Sequence, residues 1–305
     1  MEFFNQNTCI DFMRQKTYAM IFSILLAFAS CISIAYYGLN LGLDFTGGTQ
    51  IELMSTQSIE VEALRHRLEA NGFPDASVQL YGTAQHAMVR VAEHPHLAQA
   101  QLRSRIQQAA PDCRILKLEF IGPQVGQTLL NNGILAIIVS MLATMAYIAV
   151  RFDYRFAVSA AVSLIHDPVL ILGVFAYFQL EFNLVSLAAL LTILGYSLND
   201  TIVVYDRIRE NFRLFHKKSP TEIVNLSINQ TLSRTIMTSG LTLLVVLALC
   251  LLGGETLRGF SVALIVGIVI GTYSSIYVAG ALSVVLGLDR KALLNPSKST
   301  QTLQV

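Results

Sequence analysis

GYSLNDTIVVYDRIRENF, Gly195 to Phe212, holds the residues that decide what kind of chain this is. Its first half is apolar apart from one carboxylate, Asp200, and its second half carries Asp206, Arg207, Arg209, Glu210 and Arg213 just beyond. An apolar helix running into a charged cluster marks a membrane boundary, because Lys and Arg concentrate where a spanning helix meets the cytoplasm. Asp200 then lies about seven residues inside, roughly 10 Å along a helix axis. A carboxylate at that depth costs energy, about 2.5–3.5 kcal/mol even on insertion scales, so it reads as functional.

The composition supports a membrane reading of the whole chain. Of 305 residues 53% are hydrophobic and 13% charged, against about 25% charged in soluble domains. The formal net charge of +1 gives no reason to expect a polyanionic partner such as nucleic acid. Cys9, Cys31, Cys113 and Cys250 have the spacing of neither a disulfide framework nor a metal site.

Six stretches reach the ~20 residues a bilayer requires: Tyr18 to Tyr37, Asn131 to Val150, Phe156 to Phe178, Leu184 to Tyr205, Ile236 to Leu252 and Gly259 to Leu286. The first is too long for a signal-peptide core and lacks a small-residue cleavage site after it, so it reads as a retained anchor. Arg14, Lys16, Arg151, Arg155, Arg207, Arg209, Arg213, Lys217, Lys218, Arg290, Lys291 and Lys298 fall on one side, whereas the short loops on the other hold only Arg258. That asymmetry predicts both termini inside.

Residues 39–128 form an insert, placed outside by this topology. TQIELM, ASVQLYG, HAMVRVA and CRILKLEF read as strands, SIEVEALRHRLEANG and HPHLAQAQLRSRIQQAA as helices. The order βαββαβ predicts a ferredoxin-like domain. His86, His94 and His96 read as surface histidines at a strand–helix junction. Residues 129–290 carry the remaining spans, with an inner loop at 206–233, and 291–305 form a tail. Within the loop, SPTE at Ser219 to Glu222 is a capping box with proline at the first helical position. It predicts a helix lying along the cytoplasmic face before span five, either as a solvated spacer or as a docking surface.

Three polar places lie inside the apolar spans. Thr192, Tyr196, Asn199 and Asp200 share one helical face. Thr231, Arg234, Thr235, Thr238 and Thr242 make a hydroxyl ladder rising from a cation. His166, Asp167 and Pro168 sit in mid-span, where proline predicts broken backbone; the pair reads equally as helix glue or as proton chemistry. Burial raises a carboxylate's pKa and a nearby guanidinium lowers it. An Asp200 that alternately meets and loses Arg234 would therefore bind and release a proton. Walker A, HExxH and GxSxG patterns are absent, and nothing suggests an enzyme.

These residues, taken together, resemble a known family. GLDFTGGTQIEL (Gly42 to Leu53), IGPQVGQTL before span two, SLIHDP in span three, GYSLNDTIVVYDRIREN and SRTIMTSG, in that order, are similar to the SecF family of bacterial protein-export subunits, within the SecD/SecF group of the resistance-nodulation-division superfamily. The resemblance covers nearly the whole chain. It implies a six-helix half-transporter of the inner membrane with a periplasmic insert, paired with SecD, associated with YajC and the SecYEG channel. It implies that the proton motive force, with no other cofactor, promotes translocation of preproteins. It also points to Asp200 and Arg234 as members of a proton relay completed by a SecD aspartate. Asp44, Gly47 and Gly48 belong to its signature turn, which the residues themselves read as a simple tight turn or as a hinge for the outer domain. The competing readings are a stand-alone exporter of small molecules or lipids, which would usually carry both halves in one chain, and a scaffold whose polar residues only glue helices.

Overall fold

The computed structural model describes residues 10–74, 76–91 and 99–288. His94, His96, Cys9, Arg290, Lys291, Lys298, the start of the second predicted insert helix and the 291–305 tail lie outside the described residues.

Helix α1 (Lys16–Tyr37) leads through strand β1 (Asn40–Leu41) and the single turn α2 (Leu43–Thr46) into a sheet domain. That domain runs β2 (Gly48–Ser55), α3 (Val61–Ala70), β3 (Ser77–Tyr81), β4 (Thr83–Val91), α4 (Gln99–Ala109) and β5 (Cys113–Ile121). The remaining elements are α5 (Pro123–Arg151), α6 (Tyr154–Tyr177), β6 (Glu181–Phe182), α7 (Leu184–Leu214), α8 (Pro220–Leu252), α9 (Gly254–Ser274), a π-helical segment Ser275–Gly280 and α10 (Ala281–Val285). Among the described residues six helices are long and apolar enough to cross a membrane. They coincide with the six apolar stretches of the sequence.

The four-stranded sheet has the order β3-β4-β2-β5, antiparallel throughout. Alternation along β2 sends Ile51 and Leu53 into a core with Leu64 and Leu68 of α3 and Leu102 and Ile106 of α4. In the bundle, α6, α7 and α9 are half or more buried, while α1, α5 and α8 are mostly exposed. The exposed side chains are those a bilayer solvates: Ile24, Leu25 and Phe28 of α1, Leu135 and Leu142 of α5, Leu244 and Leu251 of α8.

Two expectations need correction. The segment 206–233 holds no separate helix lying along the membrane face. Instead α7 continues to Leu214 and α8 begins at Pro220, at 31 and 33 residues. At about 1.5 Å per residue both exceed the ~30 Å hydrocarbon layer, so their ends project as a helical hairpin. Polar contacts hold it: Asn211 Nδ2 donates to Ser227 Oγ at 2.8 Å and to Gln230 Oε1 at 2.8 Å, and Arg207 Nε donates to Gln230 Oε1 at 2.7 Å. The capping box is where the sequence puts it, with Ser219 and Glu222 bonded reciprocally. Second, α6 runs unbroken through Pro168. The irregular backbone lies in the last span, at the π segment, a form that collects at functional sites.

Candidate functional site

The two aspartates sit on the buried helices α6 and α7, and their surroundings differ. Asp167 is 1% exposed and its carboxylate is fully engaged. Oδ2 accepts from Ser197 Oγ of α7 at 2.6 Å and from Ser274 Oγ of α9 at 2.9 Å; Oδ1 meets His166 Nδ1 at 3.0 Å. Ser163 Oγ in turn donates to Ser274 Oγ at 3.2 Å, and Thr201 and Ser275 hydroxyls pair at 3.1 Å one turn along. One carboxylate thus ties three helices together beside the π segment, where small residues let the helices close in. A Cβ on Gly271 would stand 3.0 Å from Ser197 Cβ, and one on Gly267 would collide with the Ile193 side chain.

Asp200 is 4% exposed, and its Oδ2 is buried without a hydrogen-bond partner. The α8 groups that act on it are the Arg234 guanidinium and the Ser239 hydroxyl. Arg234 is itself exposed, and among the described residues no ion pair joins it to Asp200. Ser239 belongs to a short polar chain: Tyr196 OH donates to Ser239 Oγ at 3.4 Å, and Ser239 pairs with Thr272 of α9 at 2.9 Å. Of the predicted stripe, Tyr196 therefore joins the Asp200 neighbourhood, while Thr192 and Asn199 are exposed.

The ladder on α8 turns inward on its own helix. Thr231 Oγ1 donates to Ser227 O at 3.0 Å, Thr238 Oγ1 to Arg234 O at 3.0 Å and Thr242 Oγ1 to Thr238 O at 2.8 Å. Hydroxyls spent on the preceding turn form no continuous wire. What remains is a surface between α7 and α8 where Thr192, Asn199, Arg234 and Thr238 are exposed among apolar residues, with the partnerless Asp200 oxygen behind it.

The turn after the first span joins the sheet domain to the bundle. Asp44 Oδ2 accepts from the Leu184 backbone N–H at 2.9 Å, capping the first turn of α7. Gly47 has φ +70°, and a Cβ there would stand 2.7 Å from Pro123 Cα, where α5 begins. Gly48 also has positive φ, at 121°. Two short strands far apart in the chain, β1 and β6, pair in parallel beside it. Arg90 of β4 forms an ion pair with Glu181 of β6. Burial lowers the Arg90 pKa, and the nearby Asp44 carboxylate opposes that shift.

Sequence reasoning missed Ser163, Ser197, Thr201, Ser239, Thr272, Ser274 and Ser275. A signal was present in GTYSS, Gly271 to Ser275, where small and hydroxyl residues crowd one face of an otherwise apolar span. Among the described residues no group of three or more His, Cys, Asp or Glu side chains is arranged to hold a metal ion.

A buried polar junction, a second buried acid with an unpartnered oxygen and a domain clamped across two helix ends define a multi-pass membrane protein with polar groups inside its bundle. Residues 101–289 match the family model described as protein export membrane protein SecD/SecF, C-terminal, and residues 32–59 match the SecD/SecF GG motif. Proteins named "Protein translocase subunit SecF" from Vibrio alginolyticus and Pseudomonas aeruginosa are 47% and 42% identical to it. Each comparison covers 94% of this chain, and 93% and 94% of the relative. The crystal structure of SecDF, a translocon-associated membrane protein, from Thermus thermophilus superposes with TM-score 0.86 at 40% identity over 93% of this chain. This chain spans 39% of that longer one. The chain belongs to the SecD/SecF family of protein-export membrane proteins.

Proposed function

We propose that this protein is an auxiliary subunit of the Sec protein-export machinery that converts the proton motive force into movement during preprotein translocation. Relatives that align over nearly their full length carry the name of a translocase subunit. The observation that carries the proton role is the buried Asp200 Oδ2 without a partner, behind a polar strip that α7 and α8 leave uncovered. A carboxylate so situated changes its hydrogen-bonding needs completely when it gains a proton, becoming a donor where it was only an acceptor. Each proton returning through the membrane supplies about 2.3 kcal/mol per 100 mV, enough to shift a two-state helix packing.

In this reading a helix of SecD covers the α7/α8 strip, its aspartate facing Asp200, and Arg234 neutralises whichever acid is ionised. Asp167 and His166 are assigned the structural role, because the Asp167 oxygens are already taken up by Ser197, Ser274 and His166. The Lys and Arg distribution favours both termini in the cytoplasm and the sheet domain in the periplasm. The SecYEG channel, YajC and the preprotein are the partners this function entails. No enzymatic step and no cofactor other than the proton gradient enters.

The test is Asp200→Asn and, separately, Arg234→Met, in membranes containing the partner subunit. Gradient-stimulated export and proton flux should both fall while insertion and assembly stay normal. Unchanged export and flux in an assembled complex would rule the proton role out.

A further inference from the structure

Away from Asp200, α1, α6 and the last span line an open cavity of about 480 Å³ on the outer face of the bundle, with Met20, Ile24, Ala27, Val162, Ile165 and Leu282 among its walls. No α7 or α8 residue reaches it. The volume lies in the usual range for small-molecule sites. Its walls are mostly apolar; Cys31 and Ser23 also line it, the Ser23 hydroxyl already donating to Tyr273 OH at 3.2 Å, and the polar group left over is His166, 9% exposed, whose Nε2 is buried without a partner.

The state of that nitrogen follows from its neighbour. His166 Nδ1 faces Asp167 Oδ1 at 3.0 Å, and Asp167 Oδ2 accepts hydrogen bonds from Ser197 Oγ and Ser274 Oγ. A carboxylate in that role only accepts, so Nδ1 carries the hydrogen, and in the tautomer this fixes Nε2 offers a bare lone pair. A buried acceptor with no donor is costly, and an apolar cavity does not hold water to satisfy it.

Depth narrows the donor. His166 lies twelve residues from Tyr154 and eleven from Tyr177, hence about 18 Å and 16.5 Å from the two ends of α6. That is mid-bilayer, roughly 15 Å from either headgroup layer. Phospholipids and ionised fatty acids keep their polar groups at the interface and bring only methylenes to this level. The donor must be an un-ionised O–H on an otherwise apolar body free to sit at mid-depth. A hydroquinone meets every condition. Its phenolic O–H donates to Nε2, its ring packs against the Met20 thioether, and its hydrocarbon tail leaves along α1.

We propose that this cavity is a binding site for a membrane-soluble hydroquinone, held by a hydrogen bond to His166 Nε2. Binding alone is assigned, with no electron transfer. The seated molecule would bear on the helix junction through His166 and Asp167, independently of the proton role of Asp200.

The experiment uses the full chain with its partner subunit in native membranes and a decyl hydroquinone carrying an aryl azide as the probe. Photolabelling should be saturable, map to peptides of α1 and α6, and be displaced by unlabelled decyl hydroquinone but not by palmitic acid. His166→Phe removes the acceptor, and Ala27→Phe fills the cavity without touching the His166–Asp167 pair. Each should lower labelling about tenfold, the size expected for losing one well-placed hydrogen bond or the space itself. Non-saturable labelling, labelling unchanged in Ala27→Phe, or equal displacement by palmitic acid would overturn the site. Loss in Ala27→Phe with full labelling in an assembled His166→Phe chain would overturn the assigned hydrogen bond. Should His166→Phe fail to assemble, Ala27→Phe and the palmitic acid competition decide alone.

Discussion

Asp167 and Asp200 are the same residue type, on adjacent helices, each at most 4% exposed, yet they are built for opposite ends. Asp167 has two serine hydroxyls and an imidazole aimed at it from three helices. Asp200 has an oxygen with nothing on it and a cation that stays at a distance. A fully satisfied buried carboxylate fixes a packing, because any movement breaks several charge-assisted hydrogen bonds at once. A partly satisfied one is poised to change state. The pair teaches that burial and charge alone do not separate two acids inside a membrane; the count of unmet hydrogen bonds does.

The sharpest way to break the comparison is Asp167→Ala. It strips Ser197, Ser274 and His166 of their shared acceptor at once, and removing one partner of a buried charged network costs about 3–5 kcal/mol. The protein should be recovered in reduced, aggregating form in detergent. A monodisperse Asp167→Ala protein with normal thermal stability would erase the distinction between the two acids. Asp200→Asn should do the reverse. Thermal stability should change by less than about 1 kcal/mol, while gradient-stimulated export falls at least about tenfold, a difference of about 1.4 kcal/mol in the driven step.

A smaller effect is expected at the joint between domain and bundle. Gly47→Ala places a methyl against Pro123 on a backbone with φ +70°. The cost should be about 1–2 kcal/mol, read as faster limited proteolysis between the sheet domain and α5. Least of all should come from Thr238→Val. Its hydroxyl bonds to the backbone of its own helix, so stability should stay within about 0.5 kcal/mol. Gradient-driven export should be unaffected; a large loss would restore the hydroxyl ladder as a path.

The spans and the insert's element order were legible because they rest on periodicity and length, which each segment carries within itself. Of the Asp200 stripe, one helix holds all the members, yet only Tyr196 joins the Asp200 neighbourhood, and Thr192 and Asn199 face outward. What failed to show depends on pairings across the chain. Ser197 and Ser274 look unremarkable in an apolar run, and only their convergence on Asp167 gives them a purpose. Strands β1 and β6 have two residues each and find each other across a separation no local pattern encodes. Pro168 suggested a break that α6 does not make, whereas the π segment, which packs against α6 and α7, contains no proline to announce it. The long reach of α8 was hidden because its first turns are polar and a hydropathy window reads them as loop.

Helix α7 carries a carboxylate contact at each of two stations. At its first turn the Leu184 N–H is held by Asp44 at 2.9 Å, and Asp200 lies sixteen residues on, about 24 Å along the axis. Between them the helix is unbroken, so it behaves as a connecting rod. An axial slide of about 1 Å at the acid arrives undiminished at the Asp44 cap, where it is enough to carry a hydrogen bond out of range. Because Asp44 leads within four residues to β2, the central strand that carries β4 and β5, the sheet domain would register such a slide as the release or seating of a latch.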